Sequence, residues 1–133
     1  MPDWGSSVVG RLDDDDDWTA RVGPRTDWTV SPPETPYPRS VLTTISDPRP
    51  DHFGGEEGFR QTWLQLDVYS TESAQEANEI AEIAIRVLKP EWEGEGIRFD
   101  RAGVDGPTDS GEQQDTLYVY RSRVDFRLWH AQT

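Results

Sequence analysis

The 133-residue chain contains no cysteine. Disulfides and thiolate metal sites are therefore excluded, and with them the small stapled secreted scaffold; a reducing compartment suits such a chain. No apolar run approaches the roughly 20 residues that a membrane-crossing helix needs. The opening residues lack the basic-then-apolar pattern of a signal peptide. These features fit a protein made in a reducing cytoplasm. Positive charge is scarce: 13 Lys and Arg stand against 26 Asp and Glu, for a net charge of −13. A chain this acidic is poorly suited to gripping a phosphate backbone or an anionic membrane, which both need clustered cations. Catalytic signatures are missing as well. There is no P-loop, no G-x-G-x-x-G and no G-x-S-x-G. The two histidines, His52 in a Gly/Pro-rich stretch and His130 near the C-terminal end, sit beside no nucleophile that would make a triad.

Core-forming material is thin at 33% hydrophobic residues, but it includes six Trp, four Tyr and four Phe. Large rings bury much area per residue and offset the low count. The length suits one domain, residues 1–133, able to bury roughly two-thirds of its unfolded surface. Charge is uneven. Residues 1–96 hold twenty acids and eight bases, whereas residues 97–133 hold six and five and are rich in Arg.

Residues 1–39 read as an irregular N-terminal region. Within it, 6–12 forms a short helix with Val8, Val9 and Leu12 on one side, 17–22 a further helical turn capped by Asp17, and 23–38 a Pro-rich extended segment. An α+β core follows over 40–129. The β-branched alternation of 39–46 is a strand. A turn-rich loop covers 47–58. Residues 59–70 form a second strand, with Leu64, Leu66 and Val68 on one face and Trp63, Gln65, Asp67 and Tyr69 on the other. Ser73 and Glu76 fit a capping box, the Ser taking the N3 amide and the Glu reaching back. The helix they open runs over 74–88, burying Ala77, Ile80, Ala81, Ala84, Val87 and Leu88, and Pro90 stops it. Residues 97–102 are a short strand, 103–115 a polar loop, and 116–129 the longest strand. The fold expected is thus a single α+β domain: an antiparallel sheet of about four strands (β-β-α-β-β), one long helix packed on one face, and a short N-terminal helical element.

Three features invite a chemical reading. The run Asp13–Asp17 offers carboxylates to Ca²⁺ or Mg²⁺, but five adjacent acids lack the spaced ligands and turn glycine of a calcium loop, so a solvated acidic turn is favoured. The acids of residues 91–96 resemble a glycosidase pair only in number, and exposed turns are rich in Glu. The last strand is more informative. Arg121, Arg123, Asp125 and Arg127 alternate onto one face, opposite Tyr118, Tyr120, Ser122, Val124, Phe126 and Leu128. A wet face is the plain explanation. A subunit contact is the functional one, because Arg suits planar carboxylate pairing and the helix face Glu76, Glu79 and Glu82 is one acidic complement. Asp125 is placed to hold the Arg forks by local pairing.

Residues 36–130 resemble the minor tail-completion, or tail-terminator, proteins of long-tailed bacteriophages and gene transfer agents. The resemblance lies in Gln65-Leu66-Asp67-Val68-Tyr69, the cap and helix at Ser73, Glu76 and Ala77, and the final strand with Arg121, Val124, Asp125, Phe126, Arg127, Leu128 and Trp129. It extends to residues 37–46, which match an opening strand led by Tyr-Pro. The N-terminal region departs, being shorter than the helix such proteins usually open with. The resemblance implies a structural virion protein without catalytic residues or cofactors. Its copies would form a ring, commonly hexameric, at the head-proximal end of a tail assembled in the bacterial cytoplasm. The neighbours implied are the tail tube protein and the head–tail connector protein. An acidic lining would let DNA pass through the ring without specific binding. Asp67, Arg121, Arg123, Asp125 and Arg127 are the expected subunit interface. The rival reading is an acidic inhibitor or immunity-type protein that binds a basic partner; a small α+β enzyme would need a nucleophile–base pair that the sequence does not display.

Overall fold

The computed structural model describes residues 3–46 and 60–132. The loop expected at 47–58, and His52 within it, fall outside the described residues. Ten elements follow one another: α1 (Trp4–Asp13), α2 (Asp16–Arg21), β1 (Thr26–Trp28), β2 (Arg39–Ser46), β3 (Arg60–Ser70), α3 (Ala74–Leu88), β4 (Trp92–Gly94), β5 (Ile97–Phe99), β6 (Gly103–Gln114) and β7 (Leu117–Gln132).

The four-strand, one-helix expectation is overturned. The described residues form one seven-stranded mixed sheet, curled toward a half-barrel, and three helices. Its order is β1-β2-β3-β7-β5-β4, with β6 also paired to β7. β1 runs parallel to β2 and the other pairs are antiparallel. β7 organises the sheet. One of its edges pairs with β3 from Tyr120 to His130. Its other edge pairs first with β6, from Leu117 to Arg127, and then with β5, from His130 to Gln132.

The error lay in three places. Residues 103–115 contain Gly, Pro and Asp, all depleted in strands, yet 103–114 pair with β7 as β6. The register slips between Asp105 and Thr108, leaving Gly106 and Pro107 in a bulge, where a residue without an N–H is tolerated. Residues 91–96 enter a hairpin: β4 and β5 are joined by Glu95 and Gly96, both at positive φ, as a type I′ turn requires. Trp92 stacks on its cross-strand partner Phe99 at 4.2 Å. The N-terminal region is likewise more regular than expected, since it holds two helices and β1.

The core lies between the helices and one face of the sheet. Ala77, Ile80, Ala81, Ala84, Val87 and Leu88 of α3 are buried as the 3.6-residue period requires, against Leu64, Leu66 and Val68 of β3 and Val124, Phe126 and Leu128 of β7. Val8 and Leu12 of α1, Trp18 of α2 and Val22 complete the layer. His130, although near the C-terminal end, belongs to this interior. Its Nε2 lies 2.9 Å from Thr62 Oγ1, and its ring stacks on Trp4 at 5.5 Å.

The acidic run is a corner between helices. Asp15, not Asp17, caps α2, its Oδ1 accepting from Trp18 N at 3.0 Å. Arg86 of α3 then bridges Asp15 at 3.1 Å and Asp17 at 3.2 Å. Donation from Arg86 is the main cause that holds the Asp15 carboxyl below its usual range. Two of the five like charges therefore have a structural task or partner: Asp15 is both cap and ion-pair acceptor, and Asp17 is an ion-pair acceptor.

Candidate subunit-interface face

The helices cover one face of the sheet and, among the described residues, leave the other without a helix over it. Strand alternation assigns that helix-free face to Val41 and Thr43 of β2, to Trp63, Gln65, Asp67 and Tyr69 of β3, to the odd-numbered residues Val119–Trp129 of β7, and to their β6 partners. All five expected interface residues are there. Arg121, Arg123, Asp125 and Arg127 are partly buried, and Asp67 is buried.

Asp67 is the centre of the charge arrangement. It lies opposite Arg123 across the β3–β7 ladder. Arg123 Nε donates to its Oδ1 at 2.8 Å, Gln65 Nε2 donates to its Oδ2 at 3.0 Å, and Arg121 Nε stands 3.8 Å away. Its side chain is 6% exposed and that of Arg123 is 37% exposed, so this is a half-desolvated pair with one partner reaching water. The hydrogen bond to Asp67 pushes the Arg123 pKa up. Arg121 Nε also donates to Ser110 Oγ of β6 at 3.1 Å, tying the two strands together over the face. Tyr69 completes this end; burial and then the Asp67 charge raise its phenol pKa.

Asp125 does not hold the arginine forks. It lies opposite Asp105 of β6 and beside Gln65 of β3, and burial, followed by Asp105 and Asp67, raises its pKa despite Arg123. Local sequence placed Asp125 between arginines, but residues two apart on a strand point the same way without meeting, whereas cross-strand partners do meet. Arg127 has a third environment. Its guanidinium packs 5.5 Å from the centre of the Trp63 ring and against Gly103, where any Cβ would come within 2.9 Å of it. It forms no ion pair among the described residues, and its Nε is buried without a hydrogen-bond partner.

The sequence pattern put Trp63 and Tyr69 on the Asp67 face, but neither they nor Trp129 were among the expected interface residues. Trp63, Trp129 and Tyr69 are half-exposed beside the arginines. Trp, Tyr and Arg are the residues that dominate binding hot spots. Twelve of the thirteen basic residues of the chain are Arg, so its cations have forked, stackable heads. The signal was legible in the parity of Trp63 and Trp129 with Asp67 and Arg127.

No family model matches the sequence, and no curated protein matches it. Solved structures do. A chain from the virion of a native gene transfer agent particle superposes with a TM-score of 0.63 at 14% identity, over 94% of this chain and 92% of that one. This chain shares the fold of that virion chain. A second solved structure aligns over the same shares with a TM-score of 0.56 at 13% identity. The likeness covers 94% of this chain, so it concerns the architecture as a whole and not a shared hairpin.

Proposed function

We propose that the chain is a structural subunit of a phage-like or gene transfer agent particle, and that it is the tail terminator. Copies assemble as a ring, six in the particle, that closes the head-proximal end of the tail tube and joins it to the head connector. The observation that carries this reading is the fold likeness to a gene transfer agent virion chain over nearly the full length of both proteins. The helix-free face supports it, since Trp, Tyr and Arg gathered on a sheet face that no helix covers among the described residues suit a contact between subunits. The net charge of −13 suits a passage through which DNA slides without being held. No catalytic group or cofactor is assigned. Assembly takes place in the bacterial cytoplasm and the product travels with the particle.

Deletion of the coding sequence in cells that make the particle, followed by electron microscopy, tests the role. Filled heads lying apart from tails of irregular length are expected, with normal joining restored by the intact chain. Normal particles without the chain would overturn the structural role altogether. Headless cells with normal tails would move the chain from the tail to the head. Tight one-to-one capture of a basic protein by a strictly monomeric chain would favour the inhibitor reading instead.

A further inference from the structure

β3 ends where Ser70 pairs with Tyr120, so the tip of the β6–β7 ribbon, residues 112–119, extends past the β3 end of the sheet. The ribbon is acidic: residues 103–117 contain Asp105, Asp109, Glu112 and Asp115 and no Lys or Arg. At the tip, Leu117 and Tyr118 are 49% and 45% exposed, two of the few large apolar side chains exposed among the described residues. The helix-free face offers the opposite character, with half-exposed Trp63 and Trp129 and with Arg127, a cation that forms no ion pair among the described residues.

We infer that the acidic β6–β7 tip of one copy docks on the Trp63–Arg127 region of the helix-free face of a second copy. This rests on the ring proposed above and names the surfaces that would join its subunits. The contact cannot form within one chain. Leu117 and Arg127 are ten positions apart on one extended strand, a span of about 33 Å. Two different patches that complement each other between copies make a heterologous contact, the kind that generates rings when the rotation closes. The other acidic complement in the chain, the α3 face, is largely spent internally. Glu79 pairs with Arg21 at 3.1 Å and Glu76 accepts from Ser70 at 2.6 Å. At the tip, by contrast, Asp115 has no cationic partner among the described residues, and Glu112 accepts only from Gln114.

Sedimentation or light scattering of the full chain over a concentration series tests the contact. Wild-type association that weakens with salt is expected. Glu112→Arg combined with Asp115→Arg weakens it by at least about tenfold, as loss of a charged hot spot does. Arg127→Glu does the same, and mixing the two variants restores association because each then supplies the complement of the other. Because the chain has no cysteine, Asp115→Cys and Arg127→Cys chains mixed under oxidising conditions give a disulfide heterodimer as an independent readout, unaffected by charge reversal. Unchanged association of the charge variants, no rescue on mixing, no heterodimer, or a wild-type chain that stays monomeric throughout each overturns this contact. None of these results alters the deletion phenotype, so the contact fails separately from the structural role.

Discussion

Removing the guanidinium at position 123 would leave the buried Asp67 carboxylate with Gln65 and the more distant Arg121 as neighbours. Loss of one partner of a buried pair costs several kcal/mol, but Arg123 reaches water, so Arg123→Ala is expected to cost about 1–2 kcal/mol in a denaturant melt. Arg127→Glu removes no ion pair and is expected to leave the melt nearly unchanged while weakening association. An equal loss of stability in both variants would mean that Arg127 supports the fold. Asp125 has the opposite sign. A carboxyl whose pKa is raised on folding contributes stability at low pH that is lost as pH rises through the folded pKa. At neutral pH the charge is therefore a burden, and Asp125→Asn is expected to stabilise the isolated chain by about 0.2–1 kcal/mol, the size of a like-charged cross-strand pair. That gain is expected to vanish below the pKa of an unfolded Asp. A melt of this variant identical to wild type at pH 7 would show that Asp105 and Asp125 do not repel.

At the scale of elements, the start of α3 was legible, although its chemistry is shared. Ser73 Oγ accepts from Glu76 N at 3.0 Å as the capping box demands, but the Glu76 carboxylate turns to Ser70 Oγ instead of reaching back to Ser73. The Ser70 hydroxyl oxygen in turn accepts from Glu72 N at 3.0 Å. Ser73→Ala is expected to cost about 1 kcal/mol, since one helix amide loses its acceptor. The α1–α2 corner predicts a pH response. Arg86 and Trp18 N hold the Asp15 pKa down, so stability present at neutral pH is lost as acid titrates that carboxyl. Arg86→Gln is expected to make the acid limb of the stability profile shallower. The buried stripe of α3 and the alternation of β3 and β7 were readable because periods of 3.6 and 2 are properties of the local chain. β6 was not, because its composition describes a loop and only the long alternating run of β7 supplies it with hydrogen-bond partners. β1 is three residues long, too short to show a period. The Asp67–Arg123 pair depends on the β3–β7 register, which no local window contains, and so the sequence pointed to Asp125 as the holder of the forks. Hydrogen exchange reads the difference at 103–114: amides bonded to β7 are expected to exchange more slowly than those of the Asp115 turn. Uniformly fast exchange across both would mean that the ribbon is not formed in solution.

For the molecule as a whole, the layer arrangement is lopsided. Three helices enclose one side of the sheet, and on the other Val41, Asp67 and Val119 are buried on a face that carries long Arg, Trp and Tyr side chains. β7 crosses this arrangement from end to end as one 16-residue strand, core at one end and tip at the other. That continuity has a mechanical consequence. A tug on the tip along the strand axis is carried by covalent backbone straight into the centre of the sheet, where β7 is gripped on both edges. Hydrogen bonds of an antiparallel ladder lie across the strands, so such a load shears many of them together instead of peeling them away one at a time. The ribbon is thus anchored like a bar set in masonry, able to bear tension between whatever holds its tip and the body of the molecule behind it.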